Sequence, residues 1–174
     1  MDTWKAFEAN ELTHSAAHHL VAIYDVGQDY GGWARVSDIA RQLNITRGSV
    51  SINLRALKRR ALVQTDDHRL VKLTDEGLRA ARAVMAKRVL VVTFLSEVLG
   101  VPADQAEIDS CKIEHLVSDE TGHRLAQFLR FVSSDGEAAE LLGRFQRFRC
   151  RCPKSADCGL CKGRCLVDEL KRAI

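Results

Sequence analysis

The chain of 174 residues lacks any run of about 18 consecutive apolar residues, the length that a membrane-spanning helix needs. Its first residues, 1–5, lack the basic and apolar regions of a signal peptide. It also has no Ser/His/Asp spacing and no phosphate-binding glycine loop. We therefore expect a cytoplasmic protein that makes no membrane contact and is not an enzyme.

Basic residues are concentrated in two parts of a chain whose formal net charge is only +3. Segment 35–60 carries seven Lys and Arg side chains against a single acid, Asp38. Segment 144–174 carries nine against three acids. Such clusters are typical of elements that face phosphate groups, although a basic segment can also be a solvated helix face.

The pattern before residue 77 predicts two helices joined by a tight turn and followed by a short β-hairpin. Asn44 and Ile45 form the turn, and Thr46 is placed to cap the second helix by accepting the N–H of Ser49. This arrangement, a winged helix-turn-helix, places the second helix in the major groove of double-stranded DNA. The predicted helices are 12–26, 37–43 and 46–60, and the predicted strands are 61–65 and 70–73.

Helix 46–60, the second helix of the predicted helix-turn-helix, carries the polar side chains that DNA recognition needs. Donors and acceptors near its N-terminus would contact base edges, whereas later basic residues would neutralise phosphates. The alternative is a three-helix module that packs against another protein. The predicted base contacts are Thr46, Arg47, Ser49, Ser51 and Asn53, the predicted phosphate contacts are Arg55, Lys58 and Arg59, and Arg69 lies at the wing tip.

The remaining pattern predicts a helical half and gives a fold that is mainly α with a small β-wing. Thr74 is the expected cap of a long helix, 75–99, and Pro102 follows its end. The helices 103–117, 119–132 and 136–148 come next. The predicted domains are a DNA-binding domain (1–76), a dimerisation and metal-binding domain (77–148) and a cysteine-rich tail (149–174). The expected dimer contacts are Leu90, Val91, Phe94, Leu95 and Val98, together with the helices after Pro102.

Cys111, Glu114 and His115 have the spacing i, i+3 and i+4, which puts all three on one helix face. A thiolate, a carboxylate and an imidazole form a plausible ligand set for Fe(II), Mn(II), Zn(II) or Co(II). The sequence therefore predicts a divalent-metal site in the second domain.

Four segments of the sequence carry a family resemblance: 34–40, 49–51, 73–77 and 111–120. Together they resemble the diphtheria-toxin-repressor family, and its two-domain manganese-transport-regulator branch in particular. The resemblance covers about residues 12–132 and implies a homodimer that binds a palindromic operator when its metal is bound. It also implies that Cys111, Glu114 and His115 are metal ligands and that His18 supplies the fourth, with His14 one turn earlier on the same face.

The sequence departs from that family at its other metal position. Arg88 replaces a histidine, Val92 replaces a carboxylate, and only Glu107 remains as a possible ligand. An arginine cannot bind a cation and repels one. We therefore expect the second metal site to be absent. The guanidinium of Arg88 can instead pair with Glu107 or Glu114 and so take the place of a bound cation.

The tail contains five of the six cysteines of the chain within sixteen residues, with Pro153, Gly159 and Gly163 among them. This density is typical of a metal cluster. Four thiolates suit either a structural zinc ion or an iron–sulfur cluster, and the Cys-Pro pair favours the cluster. The first choice of ligands is Cys152, Cys158, Cys161 and Cys165, with Cys150 as the spare.

These observations lead to one hypothesis and one rival. The hypothesis is a metal- or iron–sulfur-responsive transcriptional repressor that acts as a homodimer on an inverted-repeat operator. Its cofactor is an iron–sulfur cluster, or Zn²⁺ in its place, with Fe²⁺ or Mn²⁺ at the second-domain site. The rival is a redox or metal-trafficking protein with a zinc-stabilised tail and a relic DNA-binding domain.

Overall fold

The computed structural model describes residues 12–148, and segments 1–11 and 149–174 lie outside the described residues. Seven α-helices, a 3₁₀ turn (Gln28–Tyr30), a π-helical turn (Phe94–Val98) and three short strands follow one another along this part of the chain. The helices are α1 (His14–Gly27), α2 (Val36–Gln42), α3 (Arg47–Arg59), α4 (Asp75–Thr93), α5 (Ala103–Ile113), α6 (Asp119–Ser134) and α7 (Gly136–Arg147), and the strands are β1 (Trp33–Ala34), β2 (Val63–Thr65) and β3 (Val71–Leu73). The predicted fold, mainly helical with a small β-wing, is confirmed.

The first half of the described chain packs around a single apolar core. Leu20 and Ile23 of α1 are fully buried, and so are Ile39 of α2 and Val50 of α3. The core continues to the sheet through Val71 of β3. Each helix contributes one apolar stripe and leaves its other face to solvent, which is the pattern that the sequence indicates.

The sheet has the antiparallel order β1-β3-β2. In its ladders Trp33 pairs with Lys72, and Val63 pairs with Leu73. The β2–β3 hairpin is the predicted wing, whereas β1 was not predicted. It follows the left-handed residues Gly31 and Gly32 and has only two residues, so its apolar pattern is too short to detect.

Side-chain caps fix where the helices begin. Thr46 accepts the N–H of Ser49, and Thr74 accepts the N–H of Gly77, as the sequence predicts. Gly77 also permits a close approach, because a Cβ atom there would lie 1.9 Å from the carbonyl oxygen of Leu62. The residue that precedes β2 is thereby held directly against the start of α4.

Two predicted boundaries in the second half were wrong. The regular part of α4 ends at Thr93, and a π-helical turn (Phe94–Val98) completes the helix that was expected to run uninterrupted to residue 99. Helix α5 ends at Ile113 instead of residue 117, because the chain tightens into a turn before Ser118 caps α6. Glu114 and His115 therefore lie just after the helix.

The expected dimer surface also needs correction. Val91 and Val98 are buried inside the chain, with 5% and 7% of their surfaces exposed, so neither can contribute much to a contact with a second copy. Exposed apolar side chains lie along α6 and α7, two of the helices after Pro102 that belong to the expected surface, at Phe128, Phe131, Leu141 and Phe145. No helix among residues 12–148 is long and apolar enough to cross a membrane.

Candidate metal centre and DNA-facing surface

Helices α1 and α5 bring two histidines and a cysteine together. The ligand atoms of His14, His18 and Cys111 all lie within 4.8 Å of one another. The Nε2 atom of His18 is 3.1 Å from the Sγ atom of Cys111, and the rings of His14 and His18 have centroids 4.3 Å apart. The spacing i, i+4 places both histidines on one face of α1, towards α5.

The other two predicted ligands lie next to this cluster. The ring centroid of His115 is 5.2 Å from that of His14. Glu114 is buried, with 2% of its surface exposed, and its Oε2 atom accepts no hydrogen bond from the described residues. The same oxygen is 4.0 Å from Nε of Arg88. The structure thus joins His18 and Cys111 with His14, for which the sequence predicted only a secondary role. It orients Glu114 towards Arg88.

Burial sets the protonation of the cluster. It lowers the pKa of His18, and the neighbouring His14 lowers it further. The neutral imidazole that results is the form that binds a metal. Burial raises the pKa of the Cys111 thiol, and Glu114 adds to this effect. Metal binding at Cys111 therefore requires the release of a proton.

The chemistry of the donors fits a divalent transition metal. Imidazole nitrogen and thiolate sulfur bind Fe(II), Co(II) and Zn(II) well. Ligand atoms around one such ion are about 3–4 Å apart, so the cluster needs only a small contraction to surround an ion. His14, His18 and Cys111 could therefore hold one ion.

Arg88 lies beside this cluster and pairs with two acids. Its Nη2 and Nε atoms donate to Oε2 of Glu107, at 2.8 and 3.3 Å. The hydrogen bond with Glu107 also raises the pKa of Arg88. The Oγ atom of Ser110 donates to the main-chain carbonyl of Arg88 at 3.2 Å, which ties α5 to α4. The pairing of Arg88 with Glu107 and Glu114 that the sequence suggested is therefore present.

Helix α3 divides cleanly into a buried and an exposed face. Val50, Leu54 and Leu57 are buried on one side. Most of the predicted DNA contacts lie on exposed positions: Thr46, Arg47, Ser51, Arg55, Lys58, Arg59 and, at the wing tip, Arg69. Ser49 is half-buried at the start of the helix. The exposed face is consequently polar and basic.

Two neighbouring positions of α3 differ from the expectation. Asn53 is half-buried, and its Oδ1 atom accepts a hydrogen bond from Oγ of Ser15 at 3.0 Å. Its Nδ2 atom donates to the carbonyl of Ser49 at 3.1 Å. Ile52, which the sequence analysis did not select, is 60% exposed. Asn53 thus connects α3 to α1, whereas Ile52 faces solvent.

Helix α1 connects the two sites. His14 and His18 belong to the metal cluster, and Ser15 between them donates the hydrogen bond to Asn53 of α3. The carbonyl of Ser15 also contacts the Nδ1 atom of the buried His19 at 2.6 Å. Because this contact is direct, a displacement of α1 at the metal cluster would also displace α3, the predicted recognition helix.

The described residues form a winged helix followed by a helical half, with the metal cluster between α1 and α5. Residues 74–142 match the family model described as "Iron dependent repressor, metal binding and dimerisation domain". The chain is 30% identical over 120 residues to the iron-dependent repressor IdeR of Mycobacterium tuberculosis, an alignment that covers 69% of this chain and 52% of that protein. It is 28% identical over 118 residues to an uncharacterised HTH-type transcriptional regulator of Methanocaldococcus jannaschii, covering 68% of this chain and 94% of that protein.

Solved structures of metal-dependent regulators are also similar to this chain. IdeR of T. acidophilum aligns with a TM-score of 0.53 and 27% identity, covering 66% of this chain and 53% of that one. The manganese regulator SloR aligns with a TM-score of 0.59 and 27% identity, covering 67% and 54%. The chain is thus similar to metal-dependent regulators of the diphtheria-toxin-repressor and manganese-transport-regulator family. It spans about half the length of the IdeR and diphtheria toxin repressor chains that it matches. The relatives with a named function are repressors, which agrees with the prediction that the chain is not an enzyme.

Proposed function

We propose that this protein is a transcriptional repressor whose affinity for double-stranded DNA depends on a divalent metal held between α1 and α5. One observation supports it most strongly. The histidines of the metal cluster lie on the helix whose Ser15 contacts Asn53 of the recognition helix. The metal ligands and the DNA-facing surface therefore share a rigid element.

A bound divalent ion supplies a cross-link between α1 and α5. His14 and His18 would hold it from α1, and Cys111 would hold it from α5 after losing its proton. Fixing α1 fixes Ser15 and, through Asn53, the orientation of α3. A ligand changes an equilibrium only by its preference between two states, and a coupling of about 1–3 kcal/mol changes DNA affinity roughly fivefold to hundredfold.

The proposed repressor uses one metal ion in this domain instead of two. Arg88 provides a permanent positive charge between Glu107, 2.8 Å away, and the buried Glu114, 4.0 Å away. A second divalent cation at this place would meet the guanidinium directly, and their repulsion would be strong. The protein would therefore respond to the first ion alone.

We propose that two copies associate and bind an inverted-repeat operator. The apolar residues exposed on α6 and α7 form a surface that the described part of the chain leaves uncovered: Phe128, Phe131, Leu141 and Phe145. A large exposed apolar surface is typical of an interaction site. A twofold interface presents two recognition helices to successive turns of the major groove, which requires a palindromic site.

The cysteine-rich tail enters this proposal from its sequence alone. Cys150, Cys152, Cys158, Cys161 and Cys165 lie outside the described residues. We propose that four of them hold an iron–sulfur cluster and that the cluster adds a response to oxygen; zinc would stabilise the tail without that response. The names of the relatives refer to iron and manganese, so the divalent site has the stronger support.

The experiment is a selection of binding sequences from random duplexes, followed by anisotropy titrations of the selected duplex. Each titration is run with chelated protein and with Fe²⁺, Mn²⁺ or Zn²⁺ under argon. We expect an inverted repeat to be selected and at least one metal to raise the affinity fivefold or more. Equal affinity with and without every metal would contradict the proposal, and would favour the redox or metal-trafficking rival.

A further inference from the structure

Ile52 is an apolar residue that is exposed on α3, the helix that carries most of the predicted DNA contacts. It lies in the middle of α3 and is 60% exposed. With 3.6 residues per turn, it lies roughly opposite the buried residues Val50 and Leu57. The core of the domain therefore does not use it, although β-branched residues do not favour helices.

The surroundings of Ile52 suit close contact with a groove. One turn earlier is Gly48, where an added Cβ atom would meet only the Thr46 hydroxyl, at 3.7 Å. The exposed side chains of Arg55 and Arg59 follow on the same face, three and seven residues later. The face thus has a small residue, then an apolar one, then two cations that can contact the phosphates that line a groove.

The chemistry of the side chain limits what it can recognise in DNA. Isoleucine has no hydrogen-bond donor or acceptor, so it cannot read the polar edge of a base. The major groove offers one apolar feature, the C5-methyl group of thymine. We infer that Ile52 contacts a thymine methyl group in each half-site and is a specificity-determining residue, an inference that rests on the proposed function. Asn53, which is half-buried and hydrogen-bonded to Ser15 of α1, has no part in this contact.

The test is a double-mutant cycle between protein and DNA. Each thymine of the selected duplex is replaced in turn, symmetrically in both half-sites, by deoxyuridine, which removes only the methyl group. Binding is measured for the wild type, Ile52→Val, Ile52→Ala and the control Ile108→Ala, which removes an isoleucine that is 50% exposed on α5. The melting temperature of each variant confirms that it is folded.

We expect deoxyuridine at one symmetric position to weaken wild-type binding about fourfold per half-site, the effect of exposing one buried methyl group. The same replacement should have no effect on Ile52→Ala, an intermediate effect on Ile52→Val and the full effect on Ile108→Ala.

Two results would overturn the inference. If no deoxyuridine position affects the wild type, or if the effect is the same in Ile52→Ala, then Ile52 does not contact a methyl group. In that case the repressor assignment stands, because binding itself was observed. If the metal-loaded wild type binds no duplex at all, the proposed function fails and this inference fails with it.

Discussion

Replacing Arg88 by methionine tests whether this side chain serves as a built-in cation. Methionine keeps an unbranched side chain of similar reach but removes the charge between Glu107 and Glu114. Glu107 is half-exposed, so losing its partner costs at most about 1 kcal/mol. Glu114 is 2% exposed and accepts no hydrogen bond at Oε2 from the described residues, so Arg88 is its compensating charge.

The magnitude follows from this geometry. Removing one partner of a fully buried ion pair costs about 3–5 kcal/mol. Here Nε of Arg88 is 4.0 Å from the Glu114 oxygen and the arginine side chain is 41% exposed, which reduces that cost. We expect Arg88→Met to lower the free energy of unfolding by about 2 kcal/mol in chelated protein, and the melting temperature by roughly 4–8 °C.

The assay is urea and thermal denaturation of four proteins: the wild type, Arg88→Met, Glu114→Gln and the double variant. Glutamine cannot ionise, so the loss of Arg88 should cost less than about 1 kcal/mol in the Glu114→Gln background. Equal destabilisation in both backgrounds would refute the reasoning, because Arg88 would then act through packing or through Glu107 alone.

Three further predictions concern other parts of the molecule. Phe131→Asp places a charge on the exposed face of α6, so sedimentation should show a monomer where the wild type is a dimer; an unchanged dimer would place the interface elsewhere. The hydrogen bond from Lys87, whose Nζ atom is 2.7 Å from Oδ1 of Asp119, lowers the pKa of the Asp119 carboxyl. The stabilisation from this ion pair is therefore complete above pH 3.8, and it is lost as the pH falls through the lowered pKa. Asp119→Asn should therefore lower stability by about 0.5 kcal/mol at pH 7 and converge with the wild type in acid; a difference that persists at low pH would contradict this. Protein purified under argon should show a visible charge-transfer band that Cys161→Ser weakens or abolishes, whereas colourless protein with stoichiometric zinc would exclude the cluster.

Much of the fold could be predicted because it depends on local rules. A threonine in extended conformation just before a helix can accept the N–H three residues later, which is why Thr46 and Thr74 were placed correctly. The buried face of α3 followed from the spacing of Val50, Leu54 and Leu57. Strand β1 could not be found in this way, because two residues become a strand only by pairing with β3.

The site was harder to predict than the fold because it depends on how helices are rotated against one another. The i, i+4 spacing of His14 and His18 signals a shared face, but only the packing of α1 against its neighbours brings both to Cys111. Neighbouring residues on α3 likewise have opposite surroundings. Asn53 looked like a base-reading residue by its chemistry, yet its side chain bonds to Ser15 of α1, and Ile52 takes the solvent-facing position.

The central claim is that the metal cluster controls DNA binding, and an affinity titration of selected cluster variants tests it most directly. The affinity of the selected duplex is measured with and without metal for the wild type, His18→Ala, Cys111→Ser and the control His123→Ala, an exposed histidine on α6. The account predicts that metal raises the affinity at least fivefold for the wild type and for His123→Ala. It predicts no metal effect for the two cluster variants, which should keep the affinity of the chelated wild type. A metal response that survives in both cluster variants would contradict the account.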